Sequence, residues 1–253
     1  MRQNTALRKN EMKNTLFTKI LLHLYQIKLS SNVKQFELVI KPNDKCLCLA
    51  PHPDDESIGC GGILSKYPKN FKVICATDGS RSSENCDKEE LIQTRKKEFL
   101  EAMQIAGVED YEMLEIPDKR LIFNLFKCKN IDISDFDYIF LPNFLDQHKD
   151  HKALSIILRD MLKSAPKLKK NLKIVFYEIW ATLPVPNSFI DITDILEQKT
   201  AMINAHKSQT QKVDYAEKIT GLHIYRGLSV GCKYAEAFDV MDVDYFYKLL
   251  KKL

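Results

Sequence analysis

The chain has 253 residues, 45% hydrophobic and 28% charged, which excludes a disordered, collagen-like or coiled-coil protein and suffices for one well-buried core. Lys and Arg number 38 against 34 Asp and Glu, and this net charge of +4 is too small to argue for a nucleic-acid partner. The excess is local: residues 1–35 carry a net +6 and the remainder −2.

The longest apolar stretch, Leu16–Leu29 within the segment 14–29, is broken by Lys19, His23, Gln26 and Lys28, so no transmembrane segment is expected. It also lacks the small-residue cleavage site of a secretory signal. It predicts an amphipathic helix within a basic N-terminal extension over residues 1–40. That helix either packs on the rest of the protein or makes a peripheral contact with anionic lipid. Residues 41–253 read as a single domain. Seven cysteines, at 46, 48, 60, 75, 86, 128 and 232, form no C-x-x-C pair, and several lie in apolar runs. Reduced thiols in a cytoplasmic protein are the expectation.

Nearly continuous apolar runs at 45–50, 71–77, 137–141 and 172–178 predict strands covered on both faces, with 111–116 a weaker candidate. Helices are predicted over 88–106, stopping at Gly107, over 152–162, and over 195–205 behind Thr193 or Asp194. Strand–helix alternation at this spacing predicts an α/β fold: an open, mostly parallel, Rossmann-like sheet with helices on both faces and a helical C-terminal region.

The chemistry gathers where strands end. The first run leads into Pro51-His52-Pro53-Asp54-Asp55-Glu56, and adjacent acids after a buried strand are costly unless a cation compensates them. His52 and Asp55 suit a metal. The run at 137–141 leads into Asp146-Gln147-His148-Lys149-Asp150-His151, whose histidines are three apart. One of them, added to His52 and Asp55, completes a two-histidine, one-carboxylate set with an open position for water, as catalytic zinc requires. Thr77-Asp78-Gly79-Ser80-Arg81 ends a third run, where Gly79 would let the backbone approach a ligand and Arg81 would fix a polar or anionic group.

These motifs together, PHPDDE, TDGS and D-x-H-x-D-H, resemble the LmbE-like, or PIG-L, de-N-acetylases, zinc hydrolases of N-acetylglucosaminyl compounds. The resemblance runs from about 45 to 238 and includes Lys199, Ala201 and His206-Lys207-Ser208-Gln209. It implies that His52, Asp55 and His151 hold Zn²⁺ or another divalent metal and that Asp54 is the general base. It further implies that His148 steadies the oxyanion or protonates the leaving amine, with Asp146 orienting it. The substrate implied is a small or lipid-linked N-acetylated sugar, deacetylated in glycan or glycolipid synthesis. One departure is Lys149, where the family often has proline.

Asp78, Arg81, Arg95 and His206 are the candidate substrate contacts, although Arg95 also reads as a solvated helical arginine and His206 as a structural one. Trp180 and Tyr177 read either as core or as a wall for stacking a sugar. His23 and His223 receive no role. Three rivals remain. An Fe(II) oxygenase shares the ligand set but is expected on a β-rich scaffold. A nucleotide-binding dehydrogenase is hinted at by Gly59-Cys60-Gly61-Gly62 and Asp78, with Leu64 where the third glycine belongs. The third is a metal-binding module without catalysis.

Overall fold

The computed structural model describes residues 35–82, 87–211 and 213–251. The helix expected at 14–29, and with it the proposed lipid contact, lies outside them. Among the described residues no helix is long and apolar enough to cross a membrane.

The apolar runs form strands because alternate residues find partners on opposite faces. The first four strands in chain order are β1 (Phe36–Glu37), β2 (Cys46–Ala50), β3 (Phe71–Thr77) and β4 (Asp110–Ile116). After them come β5 (Tyr138–Pro142), β6 (Lys173–Tyr177), β7 (Ser188–Asp191) and β8 (Ala235–Asp242). In β2, Cys46 and Cys48 join one core cluster while Leu47 and Leu49 join the other; Val175 and Tyr177 of β6 likewise oppose Ile174 and Phe176. Helices α1 (Asp55–Lys66), α2 (Lys88–Ala106), α5 (Leu196–Ala205) and α7 (Tyr215–Val230) cover the first face. The short α3 (Leu125–Lys129), α4 (Lys149–Ser164) and α8 (Val243–Leu250) cover the second; α6 (Lys207–Thr210) extends α5.

The sheet order is β1-β7-β8-β6-β5-β2-β3-β4, parallel from β6 through β4, with β8 antiparallel to both its neighbours. The chain winds from β2 through β3 to β4, then returns to lay β5 on the other side of β2. The β2/β5 junction is therefore the switch point, where the loops leaving two adjacent parallel strands diverge and open a ligand crevice.

Three expectations are corrected. The sheet begins before residue 41: Phe36–Glu37 pairs with β7, and Leu38 and Ile40 are buried in the core. The C-terminal region is not purely helical, since β7 and β8 lie in it. Their apolar alternation is masked by buried acids such as Glu236, which accepts from Gly62 N–H and Ile63 N–H and pairs with the buried Lys199 at 2.5 Å.

The glycines at 59–62 form no nucleotide loop; they lie inside α1, where close packing demands them. A Cβ on Gly59 would sit 2.2 Å from Tyr177 Cδ2, and Tyr177 is itself a core residue whose hydroxyl donates to Leu49 O at 2.9 Å. Gly59→Ala is therefore expected to lower stability by about 1–3 kcal/mol, read as a lower urea midpoint at unchanged slope.

Candidate metal centre

The loop after β2 turns sharply. Asp54 takes φ 137°, a conformation non-glycine residues rarely accept, and this lets Asp54 and Asp55 diverge although they are neighbours. Asp55 opens α1 and points inward. Its Oδ2 accepts from His52 N–H at 2.9 Å and lies 3.0 Å from His52 Nδ1 and 3.2 Å from His151 Nε2. His151 arrives from the other side of the switch point, on the first turn of α4.

Each of these two histidines turns its second nitrogen to another buried carboxylate. His52 Nε2 stands 3.3 Å from both Asp118 Oδ1 and Asp150 Oδ2, and His151 Nδ1 stands 2.9 Å from Asp146 Oδ2. This is the outer support that metal-bound histidines carry, one nitrogen toward the ion and one fixed by an acid. Asp118 is held by Arg81 N–H and Asp150 by Lys119 N–H.

The donor set fits a cation. Two ligands on a tetrahedral ion with bonds of about 2.0–2.1 Å lie roughly 3.3–3.4 Å apart, close to the Asp55–histidine separations. Both ring nitrogens of His151, and Asp118 Oδ1, are buried without an aligned hydrogen bond, although carboxylate or imidazole atoms lie within 3.3 Å. Four buried aspartates, at 55, 118, 146 and 150, face two buried histidines. Burial alone would lower the histidines, but the carboxylates outweigh it, holding His52 well above its usual range and His151 at about 9. The four carboxylates leave a surplus of negative charge around the two imidazoles that a divalent cation would offset. The nitrogens of His52, His148 and His151 also lie within 4.8 Å of one another.

His148 is half-buried and caps α4, its Nδ1 accepting from Asp150 N–H at 3.3 Å. In the neutral ring the proton is then on Nε2, a donor. Burial, then the neighbouring His52 and His151, push this histidine down. Asp146 is not its orienting partner, as the sequence suggested: the carboxylate stands behind His151 and meets residue 148 only through its backbone N–H. The histidine nearest to Asp146 in sequence is thus not the one its side chain holds, because His148 is spent on the helix cap.

Asp54 is held from outside. Arg95, 2% exposed, reaches from α2 to Asp54 Oδ2 at 3.0 Å, to Pro53 O, and to Gly79 O at 3.2 Å. Gly79 has φ 62°, and a Cβ there would lie 2.5 Å from Arg95 Nη1. Burial pushes the Asp54 carboxyl up to about 6 against the pull of Arg95.

The expected substrate contacts fare differently. Arg95 is a buried anchor of the loop. His206 is 1% exposed, 3.2 Å from Glu56 Oε1 and Ser57 Oγ, and so supports the loop from behind. Asp78 accepts from Ser80 N–H and Asp118 N–H, making it an organiser of backbone. Arg81 is exposed and engages the site through its backbone. The rest of the C-terminal pattern is explained too: Ser208 donates twice to Glu98, and Gln209 donates to Ser82 Oγ.

Residues 47–162 match the family described as PIG-L: GlcNAc-PI de-N-acetylase. The match covers a little under half of the chain. It is 25% identical over 183 residues to a Bacillus cereus protein named "Probable N-acetyl-alpha-D-glucosaminyl L-malate deacetylase 2", covering 65% of this chain and 83% of that one. It is 26% identical over 219 residues to the diacetylchitobiose deacetylase of Thermococcus kodakarensis, covering 76% and 81%. The structure of N,N'-diacetylchitobiose deacetylase from Pyrococcus horikoshii superposes with a TM-score of 0.64 at 26% identity, over 80% of this chain and 85% of that one. The PIG-L match contains every residue of the histidine–aspartate cluster, whereas Lys199, His206 and Glu236 lie beyond it.

Replacing Arg95 by Met leaves Asp54 and two buried carbonyls without their donor. This is expected to cost about 3–5 kcal/mol in chemical denaturation, and Arg95→Lys to recover only part, since an ammonium lacks the planar fork.

Proposed function

We propose that this protein is a divalent-metal-dependent hydrolase that removes the acetyl group from an N-acetylated amino sugar, releasing acetate and a free amine. The observation that carries the reading is Asp55 Oδ2, placed 3.0 and 3.2 Å from nitrogens of two histidines that come from different strand ends. The PIG-L match and the deacetylase relatives supply the bond type and the sugar class. Zinc is the ion the donor set favours, with two imidazoles and one carboxylate.

His52, Asp55 and His151 would hold the ion. When bound, it supplies Lewis acidity, polarising an acyl oxygen and easing loss of a proton from water. Asp54 accepts that proton. Arg95 engages one of its oxygens, Oδ2, and leaves the carboxylate its second oxygen as acceptor. The bent backbone at 54 keeps this carboxylate off the ligand set. His148 offers Nε2–H to the developing oxyanion. The proton gathered at Asp54 then goes to the departing nitrogen. Asp118, Asp146 and Asp150 bind no substrate here; they fix the rings of His52 and His151.

The direct test is acetate release from a panel of N-acetylhexosamine conjugates. Release is expected to stop with chelator, return with zinc and proceed without oxygen; oxygen dependence would favour the oxygenase. Asp54→Asn should keep its metal and lose about 10²–10⁴-fold in kcat. His151→Ala should lose metal and activity together, measured by elemental analysis beside the assay. A metal-free wild-type protein with full activity would overturn the reading.

A further inference from the structure

Trp180 is the one tryptophan of the chain, and it lies 49% exposed just beyond β6. So large an apolar surface normally finds cover. The backbone of residues 180–183 is pinned by three buried side chains. Trp180 N–H donates to Asp146 Oδ2 at 3.2 Å, Asn143 Nδ2 donates to Ala181 O at 2.5 Å, and Leu183 N–H donates to Glu178 Oε1 at 2.6 Å. Glu178 is in turn clamped by Arg226. Tyr215, at the start of α7, packs against the indole with centroids 5.5 Å apart and planes at 55°.

The pair adjoins the metal centre. The carboxylate that holds Trp180 N–H is the one behind His151. The phenol of Tyr215 is raised by burial first and then by Asp54, with Arg95 opposing, so it stands within electrostatic reach of both. Tyr177, the other aromatic considered for this role, is fully buried.

We propose that Trp180, backed by Tyr215, is the platform on which the pyranose ring of the substrate stacks. The proposal rests on the amino-sugar reading and names what is recognised outside the scissile amide. One face of a hexopyranose presents axial C–H groups, slightly positive and apolar, which suit the electron-rich face of an indole. Because the backbone at 180–183 is fixed before the sugar arrives, stacking costs little ordering.

The sole tryptophan makes the test direct. Its emission is titrated with N-acetylglucosamine and N,N'-diacetylchitobiose in the Asp54→Asn protein, which binds without turnover. A saturable change is expected. In the Asp54-intact protein, Trp180→Ala should raise KM roughly three- to tenfold with kcat within about twofold, while Trp180→Phe stays near wild type. Emission that ignores a sugar the enzyme deacetylates, or an unchanged KM in Trp180→Ala, overturns the platform and leaves the hydrolase intact. If no sugar is deacetylated, the hydrolase reading fails separately. The platform is then judged by titration with unacetylated glucosides: a saturable change supports it and a flat response overturns it.

Discussion

The structure depends on one carboxylate oxygen. Asp55 Oδ2 meets a backbone N–H and imidazole nitrogens from both sides of the β2/β5 junction. A carboxylate so buried is tolerable only with compensating charge, and burial alone would raise it; His151 and His52 instead hold it far below the usual range. The same demand repeats outward. Each histidine requires an acid on its far nitrogen, and those acids require backbone N–H groups from the loops after β3, β4, β5 and β6. Five strand ends are thereby tied to one point.

Around this knot the chain invests in holding one strained residue. Asp54 sits at φ 137°, and the groups that keep it there come from distant parts of the sequence. Arg95 binds Pro53 O and the Asp54 carboxylate; Glu56 accepts from Asp54 N–H and is steadied by Ser57 and His206. Ser208 on Glu98 fixes the segment that carries His206 against the helix that carries Arg95. Backbone strain of this kind persists only when its surroundings over-determine it, and here they do.

Much of this was legible in the sequence because chemistry-bearing residues cluster at strand ends. His-Pro-Asp-Asp-Glu and the paired histidines stand directly behind apolar runs, and the sheet's parallel half followed from those runs. Asp118 was not legible: it is a single acid after Pro117, and only the topology brings it to His52. Arg95 carried an overlooked signal. It occupies the stripe Leu91, Arg95, Phe99, Ala102, which is the buried face of α2, and a charge on an apolar stripe marks a paired group. β1, β7 and β8 escaped because two are very short and the third hides acids on its inner face. The role of Asp146 went to the wrong histidine since proximity in sequence says nothing of which ring the helix cap consumes.

The family match stops at residue 162, yet the sheet does not. β6 and β8 complete the wall beside β5, Lys199 neutralises Glu236 against α1, and His206 props the loop that holds the proposed base. The recognisable stretch is therefore an evolutionary signature and not a transplantable part. A chimaera should keep the chain whole through α8, whose Phe246 and Leu250 are buried in the second core cluster; a seam at 162 would sever the loop that carries Asp54 from its buttress, His206.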